Sequence, residues 1–238
     1  TPRLSSAASD VYKRQEQVLC WKFSQEGENC RENQEFGEEV EQISFSFLEY
    51  LPSLREVLAQ DVEAILKGDP AAVSRREIVL AYPGLIAVSV YRIANFLHKQ
   101  KVPLIPRIMT EYIHSRTGID IHPGADIGKG LMIDHGTGVV IGETAVIGND
   151  TRIYQGVTLG ALSPARSMAD PELKRHPTIE DNVIIYSGAT ILGNVNIGTG
   201  SIIGGNVWLV HDVPPGSRVY LEDAPEKQEI RSGVGARN

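Results

Sequence analysis

Aromatic residues are scarce in this sequence of 238 residues, which contains only 5 Phe, 8 Tyr and 2 Trp. The hydrophobic share of 42% is nevertheless ample for a buried core, and this excludes a largely disordered chain. Any core must therefore be built mainly from Ile, Val, Leu and Ala. The 23 glycines also indicate many backbone positions where a side chain is unwelcome.

Cysteine, positive charge and long apolar runs are also in short supply. Two cysteines, Cys20 and Cys30, cannot form a disulfide framework, and no Cys/His cluster accompanies them. The 23 Lys and Arg against 30 Asp and Glu give a net charge of −7, which argues against nucleic acid as a partner. The longest uncharged run, from Ile78 to Tyr91, contains Pro83-Gly84 and is too short to span a membrane. Because no secretory signal is recognisable, the chain is expected in the cytoplasm.

The first part of the chain divides into a polar segment and a helical domain. Residues 1–38 show no sustained period and are predicted to be disordered. Residues 39–117 are predicted to be helical, because one helix face carries Leu54, Val57, Leu58, Val62 and Ile65. That helix is expected to have Pro52 in its first turn and to end at Gly68.

Proline and glycine indicate the later helix boundaries. The pair Asp69-Pro70 is expected to cap and begin a second helix. The apolar residues from Ile78 to Leu97 continue the helical pattern, with a break or kink at Pro83-Gly84. A shorter helix from about Pro106 to Arg116 is predicted to end at Gly118.

After Gly118, aliphatic residues recur every six residues in three phased runs. The thirteen positions are Ile121, Ile127, Ile133, Ile141, Ile147, Ile153, Leu159, Ile179, Ile185, Ile191, Ile197, Ile203 and Leu209. Glycine directly follows many of them, at Gly128, Gly142, Gly148, Gly160, Gly198 and Gly204. Such a repeat is typical of a parallel β-helix with three faces, in which about eighteen residues form one coil. The aliphatic residue points inward, and the glycine is expected at the corner with a positive φ.

This repeat predicts a thin prism over residues 118–218, followed by a C-terminal tail over residues 219–238. Large aromatic side chains have no room inside such a prism, which explains their scarcity. The predicted fold class is α+β: an N-terminal α-helical domain followed by a parallel β-helix with an external loop.

Two breaks in the six-residue phase mark the places where function is expected, because repeats specify only the scaffold. The first separates Ile133 from Ile141 by eight residues and contains Asp134-His135-Gly136-Thr137-Gly138. The second separates Leu159 from Ile179 by twenty residues, which we interpret as a coil of eighteen lengthened by two. Its polar residues 163–175 are predicted to form the external loop.

Five segments of this region carry a resemblance to a known enzyme family. They are Asp120-Ile-His-Pro, Gly130-Leu-Met-Ile-Asp-His135-Gly-Thr-Gly, Ile141-Gly-Glu-Thr-Ala, Gly156-Val-Thr-Leu-Gly and Lys174-Arg-His176-Pro-Thr-Ile. On these residues the chain resembles the serine O-acetyltransferases. The resemblance implies a β-helix of left-handed winding. It also implies acetyl transfer from acetyl-CoA, as co-substrate, to the hydroxyl of L-serine, giving O-acetylserine and CoA in cysteine biosynthesis.

The resemblance assigns catalysis to His135 and Asp120. A serine hydroxyl is too weakly acidic to attack a thioester unaided, and imidazole can take its proton near neutral pH. His135 is therefore expected to be the general base, with Asp120 orienting its ring and favouring the imidazolium. The two residues are 15 positions apart, a little under one coil, so that the spacing permits a contact.

The resemblance also assigns residues to the two substrates. Asp69 and Asp134 are expected to bind the ammonium group of serine. Arg175 is expected to bind its carboxylate, since a guanidinium holds a carboxylate in bidentate fashion, and His176 lies beside the same site. The pantetheine arm of acetyl-CoA is expected along the backbone near Gly160, Ala161 and Ser187, although many relatives have a second glycine in place of Ala161.

For partners, the resemblance implies a homotrimer with active sites between subunits, in which helical domains pair two trimers in some relatives. Cysteine is expected as a feedback inhibitor, because it shares the ammonium and carboxylate of serine. Many relatives end in an isoleucine that enters the active site of O-acetylserine sulfhydrylase. This sequence ends Val234-Gly-Ala-Arg-Asn238, so that complex is not expected.

Without the resemblance, each residue also has a simpler structural interpretation. Asp69 before Pro70 is most simply a helix cap. His135 can be an exposed corner residue, and Arg175-His176 can be the solvated end of a loop. His122, before Pro123, is interpreted as a surface turn residue.

Three other functions compete with serine acetylation. An acetyltransferase acting on a sugar, an antibiotic or another hydroxyl compound can use the same prism, but such acceptors carry no amino-acid carboxylate. A prism-type carbonic anhydrase needs three histidines converging on zinc, two of them close in sequence. His122, His135, His176 and His211 include no such pair, so that no metal is expected. A non-enzymatic scaffold is the third alternative.

Overall fold

The computed structural model describes residues 34–163 and 173–221. Within them, helices α1 (Gln34–Gly68), α2 (Arg75–Ala81), α3 (Pro83–Lys99) and α4 (Ile105–Thr117) precede all of the strands. Residues 34–38, predicted to be disordered, belong to α1. The rest of that predicted segment, residues 222–238 of the predicted tail and residues 164–172 of the predicted external loop lie outside the described residues.

Two predicted helix boundaries were wrong. Pro52 lies inside α1 rather than in its first turn, because the helix begins 18 residues earlier, at Gln34. Asp69 does not cap the second helix: Ser74 does, and its Oγ accepts a hydrogen bond of 3.2 Å from the backbone N–H of Glu77. The carboxylate of Asp69 is thereby available for other contacts.

The predicted break at Pro83-Gly84 is confirmed. Helices α2 and α3 meet at Tyr82 with a bend of 72°. Within the described residues no single helix is long and apolar enough to cross a membrane, although the bent pair α2–α3 passes by length and composition. The predicted end of the last helix is also confirmed, since Gly118 caps α4 in the left-handed conformation with φ of 70°.

The strands in the described residues are two or three residues long and follow α4 without another helix. They are β1 (Asp120–Ile121), β2 (Asp126–Ile127), β3 (Met132–Ile133), β4 (Val140–Ile141), β5 (Val146–Ile147), β6 (Arg152–Ile153), β7 (Thr158–Gly160), β8 (Thr178–Ile179), β9 (Ile184–Ile185), β10 (Thr190–Leu192), β11 (Asn196–Ile197), β12 (Ile202–Ile203), β13 (Trp208–Leu209) and β14 (Arg218–Val219). Strands three apart along the chain pair in parallel, except that β12 pairs with β14, giving sheets β1-β4-β7-β10-β13, β2-β5-β8-β11 and β3-β6-β9-β12-β14. Three strands therefore make one coil of a three-sided prism.

The strand register measures the length of each coil. Ile121 pairs with Ile141, so that the first coil has 20 residues and its two extra residues fall at the first phase break. Ile141 pairs with Leu159, which gives the expected 18. Leu159 pairs with Ile191, which makes the third coil 32 residues long. Our interpretation of the second break was therefore wrong: the twenty residues from Leu159 to Ile179 replace a single six-residue step and insert fourteen residues at one corner.

The inward positions agree fully with the six-residue period. All thirteen predicted aliphatic residues lie in strands and are buried, with at most 9% of any side chain exposed. With the alanines and valines between them they form one continuous core that reaches Tyr91 of α3. Since burial of such side chains contributes roughly 1.5–3 kcal/mol each, this column is the main source of the stability of the prism.

The expected conformation of the repeat glycines was wrong. None of Gly128, Gly142, Gly148, Gly160, Gly198 and Gly204 is among the glycines with positive φ. These glycines are needed because a Cβ would overlap the adjacent coil, as at Gly198, where it would meet the backbone of Pro215. The positive φ occurs two residues later in the hexad, at positions such as Gly130, Asp150 and Asn182.

A buried ion pair fastens the helical domain to the first coil. Arg92 of α3 and Asp61 of α1 form two parallel hydrogen bonds of 2.8 Å, with 6% and 0% of their side chains exposed. The guanidinium also donates to the carbonyl of Gly128 at 2.8 Å, and the carboxylate accepts the N–H of Leu131 at 2.9 Å. The ion pair therefore has hydrogen-bond partners in both domains, so that its contribution to stability depends strongly on how the two domains are placed.

Helix α3 approaches the prism closely enough to fix its direction. The hydroxyl of Tyr91 and the amide of Asn95 both donate to the carbonyl of Ala125, at 2.6 and 2.9 Å. At the other end of the helix, a Cβ on Gly84 would overlap the carbonyl of Ile133. The absence of a side chain at Gly84 therefore lets the start of α3 lie directly against the residue that precedes Asp134.

Candidate active site

A first pocket lies where the α2–α3 bend meets the prism. We call it the helix-side pocket, and its polar residues are Asp69, Tyr82, Asp134 and His135. Its volume is about 410 Å³, and Ala81, Pro83, Gly84 and Ile133 complete its walls. Three of the residues predicted for the site from sequence, Asp69, Asp134 and His135, are therefore brought together by the fold.

His135 stands on the corner that accommodates the two extra residues of the first coil. Its backbone is left-handed, with φ of 58°, and 69% of its side chain is exposed. The prism positions Asp150, Asn182 and Asn206 share this conformation, which short polar side chains tolerate well. A larger imidazole at such a corner is held out from the scaffold, with its ring accessible to a substrate.

Two carboxylates face His135 in this pocket. Asp134 Oδ2 lies 3.7 Å from His135 Nε2, while Asp134 Oδ1 accepts the backbone N–H of His135 at 2.8 Å. Asp69 accepts hydrogen bonds on both oxygens, from the Tyr82 hydroxyl at 2.6 Å and the Ala71 N–H at 2.8 Å. The Tyr82 hydrogen bond is the largest cause holding the pKa of Asp69 below its usual value. The pocket is thus an anionic cradle suited to an ammonium group.

A second pocket lies on the prism at the base of the inserted segment. We call it the prism pocket, and its main polar residues are Asp120, His122, Glu143, Arg175 and His176. It has a volume of about 480 Å³, and Arg107 of α4 and Ala161 also border it. The predicted residues Asp120, Arg175 and His176 are therefore neighbours, but they lie in a different pocket from His135.

His176 is a buried, neutral imidazole with a defined tautomer. Only 7% of its surface is exposed, and burial is the largest cause that lowers its pKa to about 4. The backbone N–H of Thr144 donates to Nδ1 at 3.0 Å, so that the ring proton is carried by Nε2. Gly142 makes room for this ring, because a Cβ there would overlap it.

Thr144 and Lys174 organise the chain around His176. The Thr144 hydroxyl accepts the backbone N–H groups of Arg175 and His176 at 2.9 and 3.1 Å. The ammonium group of Lys174 donates to the carbonyls of His176 and Pro177 at 2.6 and 3.2 Å, and to that of Thr144. Burial lowers the pKa of Lys174. These contacts anchor the end of the inserted segment and therefore position Arg175.

The prism pocket is rich in hydrogen-bond donors. Arg175 forms an ion pair with Glu143, and its guanidinium also donates to the carbonyl of Leu173 at 3.5 Å. His122 accepts the N–H of Gly124 on Nδ1 at 3.0 Å, so that its Nε2 also carries the proton. Burial is the largest cause that lowers the pKa of His122. His122 is therefore a half-buried residue of this pocket rather than an exposed turn residue.

Within one chain, the structure does not bring Asp120 to His135. Asp120 borders the prism pocket, and the carboxylates that face His135 are those of Asp134 and Asp69. The pairing of His135 with Asp120 remains a prediction.

The three predicted acetyl-CoA positions lie at two corners of the prism, Gly160 and Ala161 at the end of β7 and Ser187 between β9 and β10. Ala161 borders the prism pocket, and Gly160 ends β7, with its carbonyl accepting the N–H of Gly193 at 3.0 Å. Ser187 lies in a turn, and its carbonyl accepts the N–H of Asn206 at 2.9 Å. The assignment of these positions to acetyl-CoA remains a prediction.

Among residues 34–163 and 173–221, no group of three or more His, Cys, Asp or Glu side chains is arranged to hold a metal ion.

Sequence reasoning missed Tyr82, Thr144 and Lys174, and it misjudged His122. Thr144 and Lys174 lie inside the quoted motifs, so that their place in a motif was a usable signal. Tyr82 precedes Pro83-Gly84 without any pattern that links it to Asp69, thirteen positions earlier. Only the bend between α2 and α3 brings the two side chains together.

Known proteins share both parts of this architecture. Residues 176–211 match the family model for the bacterial transferase hexapeptide of six repeats. A plasmid-encoded serine acetyltransferase of Synechococcus elongatus is 52% identical over 198 residues. The match covers 82% of this chain but only 61% of the length of that relative. The serine acetyltransferase of Bacillus subtilis is 45% identical over 76% of this chain and 80% of its own length.

Among solved structures, serine acetyltransferase 1 of Entamoeba histolytica in complex with L-cysteine matches 90% of this chain. The TM-score is 0.78 and the sequence identity 40%, and 75% of that chain is covered. The similarity therefore extends over the helical domain and the prism, at identities well above those that indicate fold alone. The chain belongs to the serine acetyltransferase family.

Proposed function

We propose that this chain transfers the acetyl group of acetyl-CoA to the hydroxyl of L-serine, giving O-acetylserine and CoA by direct attack. The observation that carries the proposal is the different chemistry of the two pockets, since guanidinium groups accompany the carboxylates only in the prism pocket. The helix-side pocket presents carboxylates beside an accessible histidine, and the prism pocket presents a guanidinium and two N–H imidazoles. These match the ammonium and carboxylate groups that an amino acid carries on its α-carbon.

The serine ammonium group binds Asp69 and Asp134, and its carboxylate binds Arg175 and His176. Burial keeps His176 neutral at pH 7, so that it donates a hydrogen bond from Nε2 without carrying a second positive charge. Because the two pockets are separate on one chain, we infer that each active site combines the helix-side pocket of one subunit with the prism pocket of the next.

In the chemical step, His135 removes the proton of the serine hydroxyl as the oxygen attacks the thioester carbonyl. The tetrahedral intermediate then collapses, the carbon–sulfur bond breaks, and the imidazolium returns its proton to the departing CoA thiolate. Asp120 of the partner subunit orients the ring and stabilises the imidazolium while it exists. Acetyl-CoA lies along the groove that Gly160, Ala161 and Ser187 border, so that its thioester reaches His135.

The assembly that satisfies this arrangement is a homotrimer, and the pairing of helical domains joins two such trimers. The left-handed winding implied by the family resemblance and a cytoplasmic location complete the proposal. L-cysteine competes at the serine site, since it carries the same two charged groups. The Entamoeba histolytica relative solved with L-cysteine supports this inhibition.

Subunit complementation tests the shared site. His135→Ala and Asp120→Ala chains are each expected to be inactive alone. When the two are refolded together, some interfaces combine an intact His135 with an intact Asp120, and activity is expected to return. Full inactivity of the mixture, despite confirmed co-assembly, would place both residues in one chain or remove one of them from catalysis.

Acceptor specificity separates serine acetylation from acetyl transfer to another hydroxyl. The measurement is thiol release from acetyl-CoA with L-serine, homoserine and simple sugars as acceptors. We expect release that depends on L-serine and is inhibited by L-cysteine. Equal or faster release with a sugar would favour the alternative acetyltransferase, and no release with any acceptor would favour a scaffold.

A further inference from the structure

The carboxylate of Asp69 is held by a residue to which no role is assigned so far. The Tyr82 hydroxyl donates to Asp69 Oδ2 at 2.6 Å, a short bond of the kind made to an ionised oxygen. The backbone N–H of Ala71 holds the other oxygen, Oδ1, at 2.8 Å. Both oxygens are therefore directed by the protein before any ligand binds.

The position of Tyr82 is itself fixed by the junction of the two domains. Tyr82 is the residue at which α2 ends and α3 begins, and the helices diverge there by 72°. Two residues later, Gly84 lets the backbone of α3 lie against the carbonyl of Ile133. Ile133 is followed directly by Asp134 and His135, so that this junction sets the placement of the hydroxyl relative to the reacting histidine.

The charges of the pair suit a permanent donor and a permanent anion. The hydrogen bond to Asp69 is the largest cause that raises the pKa of the Tyr82 hydroxyl to about 12, so that it remains protonated at neutral pH. The same bond is the largest cause that lowers the pKa of Asp69. The Tyr82 hydroxyl occupies one side of the anionic Asp69 carboxylate, so that the remaining lone pairs of the carboxylate are presented to the pocket.

We propose that Tyr82 is a positioning residue, which orients the Asp69 carboxylate for the ammonium group of the amino-acid substrate. This inference rests on the proposed function, in which Asp69 receives that ammonium group. Tyr82 contacts neither the serine hydroxyl nor the thioester. Its removal therefore affects the binding of the amino acid and leaves the chemical step intact.

Tyr82→Phe removes only the hydroxyl. We expect the KM for L-serine to rise about five- to tenfold, since a hydrogen bond to a charged group contributes that much when partly exposed. The kcat and the KM for acetyl-CoA are expected to change less than about twofold, because chemistry and cofactor binding use other residues. Tyr112→Phe, which removes an exposed hydroxyl on α4, is the matched control and should leave all three values unchanged.

An analogue without the ammonium group distinguishes positioning from general damage. The inhibition constant of 3-hydroxypropionate, which keeps the hydroxyl and carboxylate of serine, is expected to be the same in wild type and Tyr82→Phe. A merely structural role would weaken the binding of both compounds. Equal weakening of serine and 3-hydroxypropionate would therefore overturn the proposal.

A double-mutant cycle tests the route through Asp69. In an Asp69→Asn background, Tyr82→Phe is expected to cause no further rise in the KM for serine, because the charge that it positions is absent. Additive losses would overturn the proposal, as would a Tyr82→Phe enzyme with wild-type KM values. Wild-type turnover with serine is measured in the same series. A wild-type enzyme that neither binds nor acetylates serine would overturn the proposed function as well, whereas the other outcomes concern Tyr82 alone.

Discussion

The helix-side pocket and the prism pocket differ in what holds them together. The first is assembled from the α2–α3 bend and one prism corner, and its histidine is exposed on a left-handed backbone position. The second is built mostly within the prism, around a buried neutral histidine held by Thr144. In the proposed function, therefore, reactivity lies where the two domains meet, whereas the substrate carboxylate is recognised on the rigid repeat.

The largest effect is expected at the exposed histidine. His135→Ala should lower kcat by about 10²–10⁴-fold, the usual contribution of a general base, because no other imidazole borders the helix-side pocket in the described chain. His211→Ala, an exposed histidine on the last coil, is the control and should retain full activity. The measurement is thiol release under saturating substrates, with circular dichroism to confirm the fold. Near-wild-type turnover in His135→Ala would remove it as the base.

Breaking the junction between domains should damage the helix-side pocket selectively. Arg92→Met leaves the buried carboxylate of Asp61 without its partner, and we expect a loss of about 3–5 kcal/mol in the free energy of unfolding. The KM for serine should rise in the folded variant, since the α2–α3 bend that carries Tyr82 and the α1–α2 connection that carries Asp69 lose their anchor. Urea denaturation and steady-state kinetics measure the two effects.

The control for that variant is an exposed ion pair in the same domain. Arg75 pairs with Glu63 on the surface, with 66% and 35% of their side chains exposed. Arg75→Met is expected to leave stability and kinetics unchanged, because exposed pairs are screened by water and salt. If the two variants lose equal stability, the ion pair of Arg92 is not what fastens the domains.

Lowering the pH should destabilise the folded protein through the buried histidine of the prism pocket. The pKa of His176 is lowered from 6.5 to about 4 in the folded protein. Between those two values the unfolded chain binds a proton that the folded chain does not, so that stability falls as the pH decreases through this window and is fully retained above it. We expect the free energy of unfolding to fall by about 2–3 kcal/mol at most across this window, and by less in His176→Asn. Equal pH dependence in the two proteins would show that His176 titrates normally.

The smallest effect is expected where the prism pocket has no spare room. In Gly142→Ala, the added methyl group overlaps the His176 ring, and a cost of about 1–3 kcal/mol in stability is expected from this overpacking. The KM for serine should rise, while the KM for acetyl-CoA changes less. A Gly142→Ala enzyme with unchanged serine binding would show that the ring can move without cost.

Most of the prism could be predicted from the sequence because its core is periodic. Each aliphatic residue repeats its own environment in the next coil, so that position in the hexad alone specifies burial. The glycines at the following position were identified correctly but for the wrong reason. Close approach between adjacent coils is a tertiary contact, and a local φ preference does not report it.

The helical domain was less predictable because its boundaries depend on packing. Pro52 is tolerated inside α1, although local rules place proline in a first turn. Ser74, and not Asp69, caps α2. The site shows the same division. Family motifs indicated His135, Asp134 and Arg175, but no spacing rule indicated that Asp120 lies apart from His135 within one chain.

The sequence by itself determined the three-sided prism, its buried column, the two places where the period breaks and the residues at those breaks, because each is a local or periodic property. The scarcity of aromatic residues follows from the same narrow core. Packing between coils and domains groups these residues. The 72° bend places Tyr82 on Asp69, the 32-residue coil brings Arg175 and His176 to the pocket that Asp120 borders, and His135 borders the other pocket. These contacts join residues far apart in the chain, so that their distances are set by packing between coils and domains.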